Sequence, residues 1–131
     1  MMKIGERATE LHQAGFNCSQ SVICALSGLA GVGEDTAKAI AGGFGGGLRC
    51  GEICGAVSGA VMALGLHCPY TREGDEETKA RIAALTVEFT GKFREKFGAL
   101  RCEELLAACG GKGCCNTFIS WAAETAAAYI R

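Results

Sequence analysis

Apolar residues return every three or four positions along most of the chain, and no run of Val, Ile or Thr alternates with polar residues. A period near 3.6 predicts helices, and the missing period of two predicts no sheet. The fold expected is all-α. It is a single compact domain, residues 1–131, of five to seven helices, with a Gly-rich loop preceding the central helix.

The pattern divides as follows. A first helix spans roughly Lys3 to Ala14, with Ile4, Ala8 and Leu11 on one face and Gly15 as its stop. Asn17 and Gln20 then read as a capping box. This puts Cys18 on the first turn of a second helix reaching Ala30, with an inward stripe of Cys18, Val22, Leu26 and Leu29. A short helix over Glu34–Ala41 packs through Ala37 and Ile40. The stretch from Gly42 to Leu66 joins the glycine loop to a long apolar helix. In it Gly51, Gly55 and Gly59 recur at every fourth residue, a ridge that allows close backbone approach. Cys50, Cys54, Ser58 and Val61 lie on an adjacent face, and Pro69 ends the helix by Cys68. Asp75, Glu76 and Glu77 open a helix running to Phe97, with a core stripe of Leu85, Phe89, Phe93 and Phe97 and a stop at Gly98. Cys102 opens a short helix. After a turn at Cys109–Gly113, the last helix starts near Cys114 and Cys115 and buries Cys115, Phe118, Ala122, Ala126 and Tyr129.

Charge narrows the partners. The formal net charge is −1 and the basic residues are scattered, which argues against nucleic acid and anionic membranes. The uncharged run Cys54–Leu66 is too short to span a bilayer. The N-terminal residues carry charges throughout and no apolar core of a secretory signal, so the cytoplasm is the expected location. Composition changes the picture more. Nine cysteines cannot all pair internally, and in a reducing compartment clustered cysteines point to metal binding or redox work.

Four of them share one description. Cys18, Cys54, Cys102 and Cys115 each fall in the first turn of a predicted helix, mostly facing inward. There the unpaired N–H groups and the dipole favour a thiolate. If these starts converge, they offer four thiolates, the ligand set of an iron–sulfur cluster or a structural zinc. The chain contains no CxxC, so spacing leaves three readings open: metal or cluster binding, redox-active thiols, and inert buried cysteines. Cys24 reads as a half-buried small hydrophobe.

The glycine loop is no phosphate loop. Leu48 and Arg49 stand where a Walker motif needs Lys and Ser or Thr, and no strand precedes it. Its backbone N–H groups at Gly45, Gly46 and Gly47 could face an anion or cluster, or the loop could be a tight turn among crowded helices. Hydrolytic chemistry finds no support: His12 reads as a helix-surface residue, His67 as part of a solvated loop, and Glu52 as a surface carboxylate.

The blocks Asn17-Cys18-Ser19-Gln20-Ser21, Gly42-Gly43-Phe44-Gly45-Gly46-Gly47, Cys54-Gly55-Ala56-Val57-Ser58-Gly59, Cys102-Glu103-Glu104-Leu105-Leu106 and Cys115-Asn116-Thr117-Phe118-Ile119 together resemble the C_GCAxxG_C_C family of redox-active proteins. The resemblance spans nearly the whole chain. It implies an all-helical fold and maps the family's cysteines onto Cys18, Cys54, Cys102 and Cys115, with Cys114 as the alternative for the last. Cys50, Cys68 and Cys109 are additions to that pattern. A related module in split-Soret-type cytochromes accompanies an iron–sulfur cluster, and the absence of CxxCH here argues against covalent haem.

The resulting expectation is an oxidoreductase or electron carrier that binds an iron–sulfur cluster through those four cysteines and serves a redox partner protein. The alternatives are a metal-free thiol–disulfide protein, cycling Cys50 with Cys54 or Cys114 with Cys115, and a zinc-stabilised binding module. The Gly51/Gly55/Gly59 face could equally dock a second copy as a homodimer.

Overall fold

A computed structural model describes residues 2–131, and those residues are helical, with no strand among them. The α-helices are α1 (Ile4–Gln13), α2 (Cys18–Ala30), α3 (Glu34–Ala41), α4 (Gly55–His67), α5 (Glu76–Phe97), α6 (Cys102–Cys109) and α7 (Cys115–Ile130). A compact turn over Gly47–Gly51 precedes α4, and one 3-10 turn, Lys112–Cys114, precedes α7. No helix among the described residues is long and apolar enough to cross a membrane.

Local signals set the helix ends. The Asn17 side chain accepts from the Gln20 N–H at 2.8 Å, and the Gln20 side chain accepts from the Asn17 N–H at 3.0 Å, which completes the capping box of α2. Asp75 caps α5 by accepting from the Thr78 N–H at 3.1 Å. Gly98 ends α5 in the left-handed region at φ 88°, and Pro69 follows the end of α4 closely.

Helix α2 is the centre of the packing. It touches α1, α3, α4 and α7, while α4 also packs on α5 and α7. The shared core holds Val22, Leu26, Leu64 and Ile119, filled in by Ala56, Ala60, Ala63, Ala122 and Ala126. Alanines on facing helices shorten the distance between their axes, so this core is narrow and densely backed by backbone. At one end an aromatic group closes it. Phe93 meets Trp121 edge-on at 5.6 Å between centroids, and Phe97 meets Phe118 at 4.9 Å.

Three packing expectations fail. Leu29 is 44% exposed and Ile40 62% exposed, because α2 and α3 end at the surface and Ala41 takes the inward position on α3. Gly51 lies in the turn before α4 at φ +78°, so it is no part of the helical glycine ridge. Cys24 is 3% exposed, a core residue rather than a half-buried one.

Candidate functional site

The site begins where α2 crosses α4. A Cβ built at Gly55 would lie 3.1 Å from the Cys18 Cβ and 3.1 Å from the Ser19 nitrogen. One at Gly59 would lie 2.6 Å from the Ser19 carbonyl oxygen. A side chain at Gly59 would clash and one at Gly55 would be tight, so α4 lies against the first turn of α2. That contact brings Cys18, the first residue of α2, beside Cys54, the residue that caps α4. Ser19 is fully buried there, and its hydroxyl has no hydrogen-bond partner.

A short antiparallel pairing adds the third cysteine. Ile53 stands opposite Arg101, flanked by Cys54 N–H to Leu100 O at 2.8 Å and Cys102 N–H to Glu52 O at 2.6 Å. Side chains alternate along extended backbone, so Cys54 and Cys102 leave the pair on the face opposite Ile53 and Arg101. The fourth, Cys115, opens α7. The next residue, Asn116, is held by His12 of α1 through Nδ1 to Oδ1 at 2.9 Å. His12 is therefore a half-buried anchor of α7 rather than a plain surface residue.

The four thiols feel one another. Those of Cys18 and Cys115 hydrogen-bond, and this bond, burial, and the neighbouring Cys115, Cys54 and Cys102 together push the Cys18 thiol far above its ordinary pKa. Burial raises Cys54 to about 11, with Cys102 and Cys115 adding to the rise. The backbone N–H groups of Ala56 and Val57, at the start of α4, act on the Cys54 thiol in the opposite sense. The helix start thus favours a thiolate as expected, while the Cys115 contact at Cys18 and burial at Cys54 oppose it. Among the described residues no three His, Cys, Asp or Glu side chains are gathered tightly enough to hold a single metal ion.

The other expected site residues fare differently. Cys50 is exposed, and its thiol donates to the Gly47 carbonyl at 3.5 Å, while Cys54 is buried; both are free thiols. Gly45 is required by Asn17, whose Cβ would be 2.6 Å from a Cβ there. Gly47, at φ +64°, faces the Glu52 backbone too closely for any side chain. Crowding and left-handed turns explain both. Leu48 and Arg49 continue the left-handed path at φ 59° and 62°. Cys114 is joined to Cys109 in a disulfide, not to Cys115. The five-residue spacing across Gly-Gly-Lys-Gly was the visible signal for that bridge. His67 is exposed and Cys68 buried, so they form no pair. Glu52 is exposed and faces Arg101 at 3.3 Å, a surface ion pair.

The sequence model of a family described as "Putative redox-active protein (C_GCAxxG_C_C)" matches residues 16–129. No curated protein and no solved structure matches the chain.

Proposed function

Since the chain belongs to the C_GCAxxG_C_C redox-active family, we propose that Cys18, Cys54, Cys102 and Cys115 are the ligands of an iron–sulfur cluster and that the protein carries electrons to a partner protein. The observation that carries this reading is the meeting of four helix starts, each with a cysteine, in mutual electrostatic contact. The proposed donor set is all thiol, and such a set suits a cluster. A bound cluster would supply one-electron chemistry.

The chain's own residues would do the rest. The Ala56 and Val57 N–H groups at the start of α4 would lower the cost of negative charge on the Cys54 sulfur. The buried Ser19 hydroxyl, one residue from Cys18, is a free donor for the same purpose. Gly55 and Gly59 hold the two helix starts together. The Cys18 and Cys54 thiols are raised above their ordinary pKa, so ligation must displace their protons and uptake should weaken as pH falls.

The test is anaerobic reconstitution of the full chain, followed by iron, sulfide and zinc analysis and an absorption spectrum. Bound iron and sulfide with a spectrum that bleaches on reduction supports the reading. A colourless, iron-free protein refutes it, and stoichiometric zinc with no response to reductant replaces it with a structural metal.

A further inference from the structure

The Cys109–Cys114 bridge lies outside the four-cysteine site, and nothing above gives it a task. Cys109 and Cys114 are joined to each other. The bridge spans five positions, from the last residue of α6 to the residue before α7, with Cα atoms 6.5 Å apart. Closing so short a loop removes little freedom from the unfolded chain compared with a long-range bridge. The turn also has other ties. Gly110 and Gly111 both donate to the Leu106 carbonyl at 3.0 Å. A staple adds little where the backbone already closes the turn.

Its surroundings suit exchange instead. Cys109 is exposed, as are Gly110 and Gly113, and three of the four residues inside the bridge are glycines. No side chain from those glycines screens the sulfurs, and the backbone can rearrange when the bond opens. Gly110 and Gly111, at φ 89° and 136°, keep the turn in conformations that only glycine adopts freely. Cys114 is half-buried, so an incoming sulfur reaches Cys109 first.

We infer that Cys109–Cys114 is a second redox centre, a thiol–disulfide exchange site for an external dithiol. A thiolate of that dithiol attacks the Cys109 sulfur, the Cys109–Cys114 bond breaks, and Cys114 leaves as a thiolate and takes up a proton. The second thiol of the reductant, deprotonated, attacks the mixed disulfide on the reductant's own sulfur and releases the Cys109 thiolate, which is protonated in turn. The protein pair gains two electrons and two protons, and the dithiol loses both as it becomes a disulfide. The centre abuts the four-thiol site directly: Cys115 follows Cys114 in the chain, and α6, which begins at Cys102, ends at Cys109. The bridge therefore lies within the segment that connects two of those four cysteines. The inference does not require iron at the first site, so iron analysis tests one and thiol analysis the other.

The experiment uses the full chain, equilibrated anaerobically in reduced and oxidised glutathione, quenched, alkylated and digested with trypsin. Cleavage after Arg101 and Lys112 puts Cys109 with Cys102 on one peptide and Cys114 with Cys115 on another, and fragmentation of the linked species identifies which sulfurs are joined. The linked species should fall from about nine-tenths to about one-tenth over roughly an 80-fold rise in [GSH]²/[GSSG], the span of a two-electron couple. Dithiothreitol, a dithiol, should reduce it faster than glutathione at equal thiol concentration. A bridge that survives a ratio range of roughly ten-thousandfold is a structural staple and overturns the inference. So does a pair that stays reduced throughout, or oxidation that links either cysteine elsewhere.

Discussion

Replacing Gly59 by alanine should destabilise the protein, although alanine is the better helix former. The added Cβ would sit 2.6 Å from the Ser19 carbonyl oxygen and 3.2 Å from the Val22 Cβ. The first contact falls about 0.8 Å short of ordinary van der Waals contact, which starts at 3.4 Å. The oxygen belongs to the backbone of α2, so it cannot rotate away, and α2 and α4 must part. Overpacking of this kind costs about 1–3 kcal/mol. Helix propensity returns about 1 kcal/mol. The net expectation is a loss of up to about 2 kcal/mol, with weaker metal loading because the Cys18 and Cys54 helix starts move apart. Gly65, on the same helix, has nothing within 4 Å of its added Cβ. Gly65→Ala should therefore gain up to about 1 kcal/mol. Urea unfolding of both variants and the parent gives the comparison, with the slope checked for two-state behaviour. Equal stabilisation by the two substitutions would refute the close-approach argument.

Three further outcomes are expected. Asn17→Ala loses the cap of α2 and the donation from Nδ2 to the Gly42 carbonyl at 3.1 Å, and should cost about 1–2 kcal/mol in urea unfolding. Phe93→Ala empties a fully buried position among Phe97, Phe118 and Trp121 and should cost about 3–5 kcal/mol, read as a lowered urea midpoint. Metal-free protein should lose stability as pH rises from about 9 towards about 11. Below that window folded and unfolded Cys54 are both protonated; within it the unfolded thiol ionises first, so the unfolded state binds fewer protons and is favoured. Two pH units correspond to at most about 3 kcal/mol, and Cys54→Ala should make the decline shallower in urea midpoints measured across the window; an unchanged slope would sink the assignment.

Much of the fold was written locally. The Asn17/Gln20 box, Asp75, Gly98 and Pro69 act within a few residues of themselves, and the helix ends lie where they predict. The stripe of Phe89 and Phe93 is buried because a 3.6-residue repeat of large apolar side chains has no stable alternative in water. Periodicity could not tell where a helix runs out over the surface, so Leu29 and Ile40 were placed in a core that neither reaches. Nor could it tell that Gly51 falls one turn outside α4, since the left-handed path through Leu48 and Arg49 is fixed by the fit of Gly47 against Glu52.

The candidate site divides the same way. Its four cysteines stand at helix starts, a property of sequence alone. Their meeting depends on contacts between residues far apart in the chain. Gly55 and Gly59 bring α4 onto α2, the Glu52–Cys54 segment pairs with Leu100–Cys102, and Cys115 bonds Cys18. The protonation of the site was likewise undecided by sequence. A helix start favours a thiolate, burial opposes it, and burial is a property of the packed molecule. The sequence by itself determined the helices, their ends and the cysteines at their starts, because those depend on neighbours along the chain. Only the tertiary structure decided which starts meet, which thiols are buried and that Cys114 bonds Cys109, because each of those is settled by atoms that the chain must fold to bring together.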